Sequence, residues 1–207
     1  LYASSMTIYG NGGAVPTPET ERCWPDSYYG ITKLAGERYV HATAGRPDLD
    51  FDFKVTSLRM YSVYGPGQAF ANPYQGVLGI FLGNLLRGEP ITIFGDGRQV
   101  RDVLHVEDLV RAYDAAIRAP DKVAAQAFNV GGGPGSILSL LDLIQMLEER
   151  RKRRIPLRWD DWRPGDQRVY VSDIRKLDTV LGWRPEIDAT TGVAQLIEWV
   201  AQNRAAF

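Results

Sequence analysis

Ser5, Tyr29 and Lys33 are the residues of this sequence whose types and spacing best suit chemistry. Tyr29-Gly30-Ile31-Thr32-Lys33 sets a phenol and an ammonium four positions apart at the expected start of a helix, so both project from one face. An ammonium beside a phenol lowers its pKa and makes tyrosinate accessible near neutral pH. A serine hydroxyl can hydrogen-bond the same substrate oxygen, and the set can then move a proton on and off a hydroxyl as a hydride leaves or arrives. Alone, the Tyr-x-x-x-Lys spacing is equally that of a core aromatic beside a solvated charge, so the surrounding elements have to decide.

Those elements alternate between strand and helix. Leu1-Tyr2-Ala3 reads as the end of a buried strand running into Ser4-Ser5, and residues 10–26, rich in Gly, Pro and polar side chains, read as a long loop. Asp26 and Ser27 are good N-cap residues, and Tyr28, Ile31, Leu34, Ala35 and Tyr39 follow at near-helical spacing up to Gly45-Arg46-Pro47. A core strand is expected over 51–62, a helix over 74–86, and a hairpin of strands 91–94 and 99–103 around Gly95-Asp96-Gly97. Further helices are expected over 106–119, 138–153, 174–181 and 191–203, with strands at 127–130, near Leu157 and at 169–171. Alternation of this kind predicts an α/β layered fold with a smaller mixed lobe.

Composition removes several classes. With 207 residues and 44% hydrophobic content the chain can bury one good core, or one core with a satellite. The 24 basic and 25 acidic side chains leave a net charge of -1, which carries no footprint for nucleic acid or an anionic membrane. The single Cys23 cannot form an intrachain disulfide, and no apolar run reaches the roughly twenty residues that span a bilayer. A reducing, cytoplasmic location is expected. The histidines His41 and His105 have no partner set for a metal, so no metal site is expected.

In context, Ser4-Ser5-Met6-Thr7-Ile8-Tyr9-Gly10 followed by Tyr29-x-x-x-Lys33 resembles the strand-end serine and catalytic helix of the extended short-chain dehydrogenase/reductase family, and in particular its NAD-dependent nucleotide-sugar epimerases. The likeness continues in order through the chain. Leu58-Arg59-Met60-Tyr61-Ser62-Val63-Tyr64-Gly65-Pro66 resembles the family's Arg-x-x-Asn-x-x-Gly-Pro segment, with Ser62 where the family has Asn. Asn72-Pro73-Tyr74-Gln75-Gly76-Val77 resembles a variant in epimerases of deoxysugar nucleotides. The stretch from Phe94 to Asp108 and Arg163-Pro164-Gly165-Asp166 resemble the family's two diphosphate-binding segments.

The resemblance implies Ser5, Tyr29 and Lys33 as catalytic residues, and NAD held by Tyr29, Lys33, Met60 and Tyr61. A nucleotide-diphosphate sugar would be held by Ser5, Ser62, Val77, Thr92, Phe94, Arg101 and Arg163, the arginines offering planar, permanently charged forks. For Arg101 the competing reading is a surface ion pair with Asp102. The resemblance also implies a Rossmann-type domain over 1–65, a substrate lobe over 66–207 from which 99–130 returns to the sheet, and a homodimer built partly on the Tyr29-Lys33 helix. The glycine-rich cofactor turn of such a domain is absent from this sequence, and its position in the family falls before Leu1.

Two tempting features are discounted. The turn at Gly131-Gly132-Gly133-Pro134-Gly135-Ser136 lacks the spacing of a phosphate loop. Arg150-Arg151-Lys152-Arg153-Arg154 reads as a solvated helix C-terminus.

The residues after Ser5 discriminate between reactions. The family's 4,6-dehydratases have an Asp-Glu pair there as acid and base, whereas this chain has Met6 and Thr7, so epimerisation by transient oxidation is expected. The alternatives are a truncated, non-catalytic sugar-nucleotide-binding or interaction module, or a sugar-nucleotide dehydratase.

Overall fold

The computed structural model describes residues 1–69, 76–163 and 166–203. Three parallel strands form its principal sheet: β1 (Tyr2–Ser5), β2 (Thr56–Met60) and β7 (Gln126–Val130), in the order β1-β2-β7. Parallel neighbours need long crossovers, and the first runs through helix α1 (Tyr28–Ala44), which is capped by the Ser27 side chain and ends at Gly45. The strand expected over 51–62 is regular only over β2, after which β3 (Val63–Tyr64) leaves to pair with β6 (Leu104–His105).

Helix α2 (Val77–Arg87) matches the expected helix from its second turn onward, while residues 72–75 of the motif before it lie outside the described residues. The hairpin is the clear miss. β4 (Ile91–Phe94) pairs in parallel with β9 (Leu157–Asp160), whereas β5 (Val100–Asp102) runs between β8 (Ile137–Ser139) and β10 (Val169–Tyr170). The Gly95-Asp96-Gly97 turn therefore carries the chain from one sheet to another. It does so with Gly95 at φ +77° and the Gly95 N–H donating to Asp160 O at 2.9 Å, so the strands on either side bond to distant partners.

Helix α3 (Val106–Arg118) begins where expected, with His105 as its N-cap accepting from Glu107 N at 3.4 Å. After the one-turn α4 (Pro120–Val123), the chain continues through α5 (Leu140–Arg151), α6 (Arg175–Leu181) and α7 (Ala189–Gln202). Leu58, Leu104, Phe128, Val130, Leu177 and Trp183 form the core behind the parallel sheet. Phe81, Ile91, Ile93, Leu143, Leu147 and Leu196 form a second core under α2, α5 and α7. No helix among the described residues is long and apolar enough to cross a membrane.

The Gly131–Ser136 turn is packed into protein. A Cβ on Gly131 would collide with Ser172 and Asp102, and the Gly133 N–H donates to Asp102 Oδ2 at 3.0 Å, so it braces β5. At the end of α5, Lys152 takes the left-handed conformation and Arg154 pairs with Glu148 at 2.8 Å.

Candidate active site

The site begins where β1 stops. Ser5 is still extended (φ -145°, ψ 152°), and its Oγ accepts from Thr7 N at 3.3 Å and from Thr7 Oγ1 at 3.0 Å, capping a single 3-10 turn over Met6–Tyr9. The turn sends Met6 into the core, where Tyr170 Oη donates to its Sδ at 2.9 Å, and leaves Thr7 beside the serine. A sulfur buried in this way has no access to substrate, which agrees with reading Met6 as chemically silent.

Helix α1 is brought to this turn by Gly30. A Cβ there would stand 2.5 Å from the carbonyl oxygen of Thr7, so only glycine lets the first turn of α1 come this close. Its N–H is held by Ser27 Oγ at 3.1 Å. Tyr29 is thereby set at the rim of the site, 55% exposed. Lys33, one turn on, donates Nζ to Ala3 O at 3.0 Å and lies 5.5 Å from the centroid of the Tyr29 ring. Tyr2 Oη returns a bond to Lys33 O at 3.1 Å, fastening helix to strand from both sides.

A cavity of about 810 Å³ opens over the carboxyl ends of β1 and β2, the usual ligand position in parallel sheets. Ser5, Tyr29, Met60, Tyr61, Ser62, Val77, Thr92, Phe94, Arg101 and Arg163 all line it, which unites every site residue expected from the sequence except Lys33, held behind Tyr29. One wall is set by Met60 and Tyr61, and burial pushes the Tyr61 phenol up to about 12, so it stays neutral. Ser62 sits at φ +41°, in the left-handed region.

At the far end are the arginines. Arg101 projects from β5 with its side chain 12% exposed, and its guanidinium donates to Asp166 Oδ1 at 3.0 Å and to Gln167 O. The alternative pairing with Asp102 is not formed, because Asp102 is fully buried against the glycine turn. Arg163 stacks its guanidinium 3.7 Å from the centroid of Phe94. The cavity thus joins a small hydroxyl-bearing end to an apolar waist and a cationic end.

Sequence reasoning passed over Thr7, Asn84, Gln99 and Asp166 as lining residues. Asp166 carried a signal, since it closes the same four-residue stretch as Arg163. Asn84 and Gln99 carried none, because side chains of α2 and the residues before β5 meet only through the tertiary fold. Among the described residues no cluster of His, Cys, Asp and Glu could hold a metal ion.

Known proteins are similar to this chain in sequence and fold. The chain is 32% identical to CDP-paratose 2-epimerase of Salmonella typhi, across 97% of this chain and 64% of that protein. It is 31% identical to dTDP-glucose 4,6-dehydratase of Xanthomonas campestris pv. campestris, across 99% of this chain and 58% of the relative. Among solved structures, MoeE5 in complex with UDP-glucose and NAD superposes with a TM-score of 0.87 at 35% identity, covering 98% of this chain and 64% of that one. The chain therefore spans less than two thirds of the length of these relatives, and its parallel sheet is of the Rossmann type they share. Residues 1–131 match the NAD dependent epimerase/dehydratase family, and the chain belongs to that family.

Proposed function

We propose that the protein containing this chain is an NAD-dependent epimerase of a nucleotide-diphosphate sugar, in which a sugar hydroxyl is oxidised transiently to a ketone and reduced from the opposite face. The carrying observation is the convergence of Ser5, Thr7 and Tyr29 with Arg101 and Arg163 in one cavity. A reactive end of hydroxyls and an anion-binding end of guanidiniums suit a neutral sugar joined to a diphosphate.

The residues at the strand ends fit the nicotinamide and its ribose. Met60 and Tyr61 line the cavity together with Tyr29, and Ala3 O takes only one of the three hydrogens on Lys33 Nζ. When bound, NAD supplies the hydride acceptor and returns the hydride. Tyr29 takes the hydroxyl proton and later gives it back, with the Lys33 ammonium 5.5 Å from the centroid of its ring. Ser5 Oγ already accepts two bonds from Thr7, so its own hydrogen is left to donate to the sugar oxygen. Arg101 and Arg163 hold the diphosphate, and Val77, Thr92 and Phe94 line the nucleotide side.

Dehydration is disfavoured by the same geometry. Elimination needs a carboxylate acid or base beside the serine, and the neighbours there are a buried Met6 and the hydroxyl of Thr7. The one carboxylate among the described lining residues, Asp166, is ion-paired with Arg101. Incubating the full-length protein with NAD and a panel of UDP-, dTDP-, CDP- and GDP-sugars, followed by NMR, tests the proposal. An inverted stereocentre supports it; loss of water, or binding without turnover, rejects it in favour of a dehydratase or a binding module.

A further inference from the structure

Glu37 is the third residue on the α1 face that carries Tyr29 and Lys33, the three standing at successive intervals of four. The apolar contact that α1 makes includes Leu34, partly buried against Met6, Ile8 and Tyr9. Of its 17 residues only Gly30 and Glu37 are buried. Hydrophobic contact is non-directional, and here it supplies little to fix how far α1 slides or turns on the sheet.

Glu37 supplies direction instead. Its carboxylate accepts from Ser4 Oγ at 2.6 Å and from Arg59 through Nε at 3.2 Å and Nη2 at 2.5 Å. Ser4 and Arg59 are paired across β1 and β2, and Arg59 is paired in turn with Asn129 of β7. All three are buried, so one polar rung crosses the whole sheet. The next rung is Ser5 and Met60, both of which line the cavity. Arg59 Nη1 also donates to Tyr9 Oη at 2.7 Å, and Tyr9 Oη donates to Asn129 Oδ1 at 2.8 Å, which ties in the turn that follows Ser5. Burial alone would raise the Glu37 carboxyl, but the bonds from Arg59 and Ser4 hold it below the usual carboxylate range.

We propose that Glu37, acting through the buried Ser4–Arg59–Asn129 rung, is a positioning residue that sets the Tyr29-Lys33 face of α1 in register with Ser5. A single buried polar group fixing the register of packed elements is the best-attested use of such pairs. The proposal rests on the epimerase reading for its catalytic consequence, though its structural content stands apart from turnover.

The test uses the full-length protein. Replacing the pair by neutral side chains of similar volume, Glu37→Met with Arg59→Met, keeps the core filled and preserves stability. It is expected to lower kcat by about 100-fold, as for an ångström-scale misplacement of catalytic groups, with KM for the sugar nucleotide within about twofold. Ser4→Ala, which removes one buried hydroxyl bonded to the Glu37 carboxylate, is expected to lower kcat by about 5–10-fold and Tm by only a few degrees, about 2–4 °C per kcal/mol lost. Hydrogen exchange is read in parallel: faster exchange confined to the first two turns of α1 and to β1, with β2 and β7 as in wild type, supports the proposal. Wild-type exchange along α1 and β1 in both variants overturns it whether or not any sugar turns over, as does wild-type kcat in the folded double variant. Absence of turnover in wild type counts against the epimerase reading alone.

Discussion

Thr7 Oγ1 lies 3.0 Å from Ser5 Oγ and donates to it, while the Thr7 N–H reaches the same oxygen at 3.3 Å. Two incoming bonds occupy the serine's lone pairs, which directs its own hydrogen away toward the cavity. Thr7→Val keeps the shape and removes one of the two bonds, freeing the Ser5 hydroxyl to rotate. The expected result is a fall in kcat of about 10-fold, the order of one lost hydrogen bond, with KM little changed. Steady-state kinetics on the full-length protein measures both.

Arg101 gives the opposite signature. On the proposed reading it holds a part of the substrate that does not react, so Arg101→Ala removes binding common to ground and transition states. KM is expected to rise by about 10- to 100-fold, the value of one charge-assisted contact, with kcat changed far less. Asp166→Asn releases Arg101 from its ion pair and removes a negative charge beside it, so it is expected to raise the affinity for inorganic pyrophosphate where Arg101→Ala lowers it, measured by titration calorimetry.

The departure at Ser62 has a physical reading. Its φ of +41° belongs to the left-handed region, which Asn tolerates better than Ser. Ser62→Asn is expected to stabilise the fold by up to about 1 kcal/mol. Thermal unfolding should show a rise in Tm of about 2–4 °C per kcal/mol for a chain of this size.

The buried pair predicts an acid limb. Glu37 is held below its ordinary value in the folded protein, so it contributes its full stability above the unfolded carboxylate pKa and loses it as pH falls through the depressed folded value. Glu37→Gln is expected to flatten that limb, the difference from wild type being largest at neutral pH and vanishing as the medium becomes strongly acidic. Arg59→Met alone strands the carboxylate and is expected to cost about 3–5 kcal/mol at pH 7. Denaturant unfolding across pH checks both.

Much of the site was legible in sequence because its parts are local. Ser27 and the four-residue spacing of Tyr29 and Lys33 specify a capped helix start with both side chains on one face, and the structure builds a helix capped by Ser27 there. Arg101 and Arg163 were legible through the stretches that carry them, although the ion pair with Asp166 was not. What failed was partnership over distance. Strands 91–94 and 99–103 have hairpin composition around a Gly-Asp-Gly turn, but their hydrogen-bond partners lie some forty to seventy residues on, which no local pattern encodes. The rung of Ser4, Arg59 and Asn129 was likewise invisible, since only parallel pairing of three separated strands brings it together.

The central claim is that Tyr29 is the acid and base of an epimerase. Tyr29→Phe removes one oxygen from a half-exposed ring, so the full-length variant should fold, and it should bind the sugar nucleotide that wild type epimerises with unchanged affinity. Followed by NMR with that sugar nucleotide and NAD, the variant is predicted to form inverted sugar at least about 1,000-fold more slowly, within the range for loss of a general acid-base. Inversion at the wild-type rate would contradict the account.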